Sequence, residues 1–177
     1  MKKHIIATIL FLTGISAFAQ NPEFSGRPYL WQDKKLSELE RVDAQFDTKA
    51  KGLGYGGVDT YYTVFTDKSE IRFTKDKLPT FVIKVDKGID PAETYTVLKA
   101  TVKKKKRSFL IGRYAMGGKA KDTRDEHIKV MYKKLKDGVY EITLPSDIEI
   151  GEYAFVPNST EGMSAGNKIK INCFAIN

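Results

Sequence analysis

The sequence predicts an all-β fold: an antiparallel Greek-key β-sandwich of immunoglobulin-like kind, preceded by an N-terminal extension. Three observations carry that expectation. From residue 58 onward apolar and polar residues alternate in short runs rich in Val, Ile, Thr, Tyr and Phe, the residue types that suit a pleated, half-buried surface. The runs are separated by turn chemistry such as "DKGIDPAE", "KDG" and "NSTEGMSAGN". No apolar period of helix length competes in this region, and many short strands without intervening helices read as a sandwich.

Taken in order, residues 1–19 form a secretory signal peptide. Lys2 and Lys3 give the positive start, an apolar run follows, and Ala17-Phe18-Ala19 is a small-x-small cleavage site. Its apolar run is shorter than the ~20 residues of a membrane helix, and no later segment offers one, so no transmembrane segment is expected after cleavage. Residues 20–57 form the extension, a short helix or irregular strands. In "KKLSELERVDAQF" the residues Leu36, Leu39, Val42 and Phe46 fall near one helical face, and the glycines between 52 and 57 then break any period. Tyr29 and Trp31 are read as aromatics that pin this arm to the sheet. Residues 58–177 form the sandwich, with strands expected at 58–65, 70–74, 80–85, 94–102, 108–114, 127–133, 139–144, 152–156 and 168–176.

Near the C-terminus, "DIEIGEYAFVPN" holds Ile148, Gly151 and Tyr153 at the spacing of a tyrosine corner, in which a tyrosine hydroxyl bonds back to upstream backbone. Gly151 would relieve the tight turn. Tyr153 and Phe155 share the inward parity, which leaves Glu152 as a solvated strand residue.

Chemistry is thinly marked. The formal charge of +8 becomes +6 once the two lysines of the leader are removed, a balance that suits solubility or anionic surfaces. Lys103, Lys104, Lys105, Lys106 and Arg107 form an unbroken cationic run between two strands. Five adjacent cations are solvated as a hairpin tip or meet an anion, so these residues are the candidate anion-binding site. Lys129, Lys133, Lys134 and Lys136 would supply a second basic stripe if the fold brings them near. Cys173 is the single cysteine and reads as a buried small hydrophobe; no intramolecular disulfide can form. His127 is the one histidine outside the leader, too few for a usual zinc site or a serine triad of ordinary make-up. The acids of "DTRDE" at 122–126 lack the glycine bend and closing glutamate of a calcium loop. "GYGG" and "GGK" lack the spacing of a phosphate loop. A glycosidase needs only two carboxylates, and Asp125, Glu126, Glu141, Glu149 and Glu161 are available, but no pair is placed by the sequence. Catalytic, metal and cofactor-binding residues are accordingly assigned to none.

The ending "GEYAFV…CFAIN" resembles that of a group of uncharacterised exported proteins of Gram-negative bacteria, which close with Gly-Glu-Tyr-Ala-Phe and then Cys-Phe-x-Ile. "RPYLWQ…LSELER", "GYGGVDTYY" and "LPTFVIKV" are similar to earlier segments of that group. The resemblance implies an all-β sandwich and an exported location, periplasmic or extracellular, and brings no established activity. The expected function is a non-catalytic binding or interaction module whose partner is a protein or an anionic envelope polymer, not nucleic acid. The alternative is a glycan-directed hydrolase using a carboxylate pair.

Overall fold

The computed structural model describes residues 21–52, 55–159 and 162–177, so the expected signal peptide, Leu53, Gly54, Thr160 and Glu161 lie outside the described residues. The strands in chain order are β1 Pro28–Gln32, β2 Lys35–Glu38, β3 Glu40–Ala50, β4 Val58–Val64, β5 Arg72–Phe73, β6 Thr80–Lys84 and β7 Tyr95–Lys103. They continue as β8 Lys106–Tyr114, β9 Ala120–Lys121, β10 His127–Ile128, β11 Met131–Lys136, β12 Val139–Thr143, β13 Gly151–Pro157 and β14 Lys168–Ile176. A single helical turn, α1 Pro91–Thr94, precedes β7; Asp90 caps it by accepting from the Ala92 N–H. Among the described residues no helix is long and apolar enough to cross a membrane.

The antiparallel all-β expectation holds, but the sandwich does not. Strands β7, β13, β14, β3, β4 and β8 are hydrogen-bonded in that order, and β8 pairs back onto β7 from Ala100↔Phe109 to Lys103↔Lys106. The result is a closed six-stranded barrel. A second, five-stranded sheet has the order β11-β12-β6-β1-β2 and lies against it. The physical reason lies in β3, which pairs with β14 on one side and β4 on the other. Without β3 those two strands would be free edges; with it the sheet closes and its edges disappear.

The segment supplying β3 is the one read above as a short helix or irregular strands, and its regular elements among the described residues are the strands β1, β2 and β3. Asp33 and Lys34 turn β1 into β2 with both φ positive, at 51° and 61°, the geometry of a two-residue hairpin whose twist matches its strands. Leu39 then buries its side chain as the chain crosses from the five-stranded sheet to the barrel. Val42, Ala44 and Phe46 alternate toward the barrel interior. Tyr29 and Trp31 are residues of β1, between β6 and β2, and not part of a terminal arm.

Two cores follow from two buried surfaces. The barrel interior is filled by Tyr62, Val64, Leu98, Phe109, Ala154 and Ile171 among others. The layer between barrel and sheet holds Phe81, Ile83 and Ile142 from the sheet against Tyr153, Phe155 and Phe174 from the barrel. Phe81 lies 5.0 Å from both Phe155 and Phe174, and Tyr153 stacks on Phe174 at 5.5 Å. Such pairs add about 0.5–1.5 kcal/mol each beyond the area they bury. β13 and β14 belong to both cores, which is why both faces are buried from Glu152 to Val156 and from Ile171 to Ile176. The parity that separates Tyr153 from Glu152 is therefore correct, while its consequence is not: the second face points into the barrel.

Candidate anion-binding site

At one end of the barrel β7 passes into β8 through Lys104 and Lys105, whose φ angles are 50° and 58°. A two-residue hairpin loop with both residues left-handed favours Asn-Gly, because a side chain there meets the following carbonyl and costs roughly 1–2 kcal/mol. Two lysines occupy it here. Lys103, Lys104, Lys105 and Lys106 are all exposed. None of their ammonium groups forms an ion pair with a carboxylate among the described residues. The Lys106 ammonium stands 4.4 Å from the centre of the Phe65 ring. The pairing Val64↔Arg107 accounts for this contact, since the next residues along each chain are Phe65 and Lys106.

Arg107, the fifth residue of the run, is not part of that surface. Its parity is that of Phe109, so its side chain enters the barrel and is fully buried. Nη1 and Nη2 donate to the two carboxylate oxygens of Glu40 at 3.1 and 2.9 Å. Nη2 also donates to Thr66 Oγ1 at 2.8 Å, and Nε to the Thr66 carbonyl at 3.3 Å. Burial alone would lower the pKa of this guanidinium, yet the Glu40 hydrogen bonds, with the carboxylate charges of Glu40 and Glu152, hold it above its usual value. The candidate site therefore keeps Lys103, Lys104, Lys105 and Lys106 and loses Arg107.

Glu152 is corrected by the same geometry. It is only 6% exposed, and its carboxylate accepts from the Ser69 N–H at 2.7 Å and from Arg72 Nη1 at 2.6 Å. Arg107 Nη1 stands 3.6 Å from Oε2 of the same group. Arg72, Arg107, Glu40 and Glu152 thus form a charge-neutral set that closes this end of the barrel beneath the 65–71 loop. Cys173 is buried beside it, and burial pushes its thiol up to about 12. The sequence carried one sign of this cluster, a run of five cations longer than any hairpin turn needs, but nothing that paired it with Glu40 or Glu152.

Protein-family models, curated proteins and solved structures were all compared with the chain, and none matches.

The remaining sequence-predicted residues are dispersed. Tyr153 donates from its hydroxyl to the Glu149 carbonyl at 2.6 Å, four residues upstream, and burial raises its pKa to about 12. Ile148 is buried in the layer between barrel and sheet. Gly151 has no positive φ; a Cβ there would meet the flexible end of Lys99, 2.7 Å away, so the glycine makes room for a side chain and does not relieve a turn. Gly57 is the glycine a close approach requires: φ is 88°, and a Cβ would stand 2.0 Å from the Tyr114 carbonyl oxygen. Lys133, Lys134 and Lys136 lie on β11 in the five-stranded sheet rather than on the barrel, and Lys134 pairs with Asp137 at 2.6 Å. Lys129 precedes that strand.

Of the carboxylates considered for hydrolysis, Glu126 pairs with Arg113 at 2.9 Å, Glu149 pairs with Lys99, Glu141 sits on β12 opposite Lys133, and Glu161 lies outside the described residues. In the neighbouring acidic loop Asp122 is bound by Arg124, whose hydrogen bonds pull its pKa down to about 2. Asp147 and Glu149 do line one open hollow of about 420 Å³ with His127 and Tyr153. The Lys99 ammonium bonded to Glu149 holds that carboxyl below its usual range, the opposite of what a proton-donating acid needs. Burial likewise lowers the pKa of His127, which keeps the ring neutral.

Proposed function

We propose that the chain is an exported, non-catalytic binding module that holds an anionic envelope polymer or surface at the 103–106 hairpin tip. The observation that carries this reading is the tip itself: four adjacent ammonium groups with no carboxylate partner among the described residues, on a two-residue turn made of two lysines. Here Arg107 fixes the base of the turn through Glu40 and Thr66. The tip is therefore preorganised, which lowers the ordering entropy lost on binding. The leader-like residues 1–19 and the resemblance to exported proteins support the location.

Retention on immobilised heparin, a soluble-type polyanion, tests the reading. Replacing Lys103, Lys104, Lys105 and Lys106 with Gln should move elution to clearly lower salt, since each lost contact flattens the salt dependence. A thermal melt should be unchanged, because all four side chains are exposed. Equal retention of the two proteins would remove the tip from the function.

A further inference from the structure

The end of the barrel that carries the lysines also carries exposed apolar side chains. Around the barrel the strand order is β13, β7, β8, β4. Ile150, 63% exposed, immediately precedes β13; Val102, 48% exposed, lies near the end of β7; Phe65, 53% exposed, immediately follows β4. Lys99 of β7 binds Glu149, the chain neighbour of Ile150, which sets Ile150 beside β7. The Val64↔Arg107 register places Phe65 opposite Lys106. The three apolar residues thus stand at strand ends near the lysine turn, Val102 beside it on β7 and Phe65 against Lys106. The nearby Glu149 is neutralised by Lys99.

A soluble polyanion makes use of the charges alone and leaves the apolar side chains in water. A surface that is anionic at its face and apolar just beneath uses both. Lysine stems can lie along such a boundary while their ammonium groups stay with the head groups. Aromatic and aliphatic side chains then enter the acyl boundary, as they do in interfacial helices. We infer that this barrel end docks onto an anionic phospholipid bilayer, with the ammonium groups of Lys103, Lys104, Lys105 and Lys106 on lipid phosphates and Phe65, Val102 and Ile150 in the interface. The inference rests on the anion-binding reading above and names its partner.

Co-sedimentation with vesicles tests it, using equimolar phosphatidylglycerol and phosphatidylcholine against phosphatidylcholine alone. The protein should bind the anionic vesicles and not the neutral ones, and added salt should weaken binding without abolishing it. A Val102→Ser, Ile150→Ser double variant, which leaves the contact between Lys106 and Phe65 in place, should lose roughly tenfold in vesicle partition, because burial of apolar area is removed. Its retention on heparin should be unchanged. Vesicle binding that is insensitive to this double variant would overturn the bilayer as partner. Retention on heparin without any vesicle binding would also overturn it, and would leave the polyanion reading standing. Failure of both heparin and vesicles to bind would overturn the two together.

Discussion

Replacement of Arg107 by Met removes one cation from a buried neutral set while keeping most of the stem volume. In the wild-type protein two guanidinium groups face two carboxylates, and Glu40 and Glu152 retain only 10% and 7% side-chain exposure. Glu152 would keep the Ser69 N–H and Arg72. Glu40 would lose both of its guanidinium bonds, and the Thr66 carbonyl and hydroxyl would each lose a donor. Removing one partner of a buried ion pair costs about 3–5 kcal/mol, because the other charge stays desolvated. With a urea m-value of about 2 kcal/mol per molar, the unfolding midpoint at neutral pH should fall by about 2 M. The double variant Arg107→Met, Glu40→Leu removes both charges and should regain most of the loss, since apolar replacements of buried pairs are often neutral. A single-variant loss under about 1 kcal/mol, or a double variant no more stable than the single, would refute the buried network.

Tyr153→Phe deletes the bond to the Glu149 carbonyl and should destabilise the fold by about 1–2 kcal/mol in a urea melt; equal midpoints would mean the bond contributes nothing. Burial raises the phenols of Tyr153 and Tyr132 to about 12, so the stability their neutral forms lend is present below about pH 10 and lost as pH rises toward 12. A native ultraviolet titration should show tyrosinate appearing late, and complete ionisation near pH 10 would contradict the burial. Gly57→Ala combines a positive φ with a 2.0 Å approach to backbone and should lose about 2 kcal/mol or more, whereas Gly151→Ala meets only a lysine end and should stay within about 0.5 kcal/mol; a reversed order in thermal melts would show that the two sites are misread. Cys173 should resist a thiol reagent in the folded protein and react on unfolding, because its thiol is buried and raised to about 12. Rapid native labelling would exclude that placement.

The strands were legible where one face is apolar and the runs end in turn residues: β4, β6, β12, β13 and β14 fall within a residue or two of expectation. Barrel closure was not legible, because alternation states that a strand has two faces and not what covers the second one. Glu152 shows the difference. Its parity opposite Tyr153 could be read from "GEYAF", but water and a barrel interior are equally compatible with that parity. In the extension the strand alternative is the one the fold takes: Leu36, Leu39, Val42 and Phe46 fit a helical face, yet Leu39 marks a crossing between sheets and Val42 and Phe46 share a strand face. The helical pattern was an accident of two strands and a link. At the candidate site the lysines were visible as a run, but neither the inward turn of Arg107 nor the position of Phe65 beside Lys106 could be seen without knowing that β4 and β8 pair.

The buried cluster and the exposed tip are mechanically one object, and this can be tested apart from stability. Arg107 holds Thr66, the neighbour of Phe65, and its own chain neighbour is Lys106. The same guanidinium therefore fixes both sides of the contact between Lys106 and the Phe65 ring. The Arg107→Met, Glu40→Leu protein keeps all four tip lysines and, on the argument above, most of its stability. What it loses is the clamp. If the tip binds as a preset array, ordering the Lys106 side chain anew costs about 0.5–1.5 kcal/mol, and affinity for anionic vesicles should fall by roughly two- to tenfold. If the lysines act only as mobile charges, affinity will not change and the left-handed lysines have no bearing on recognition. Measuring the double variant by melt and by vesicle partition together separates the two, because a stable protein with weakened partition can be produced only by the loss of preorganisation at the tip.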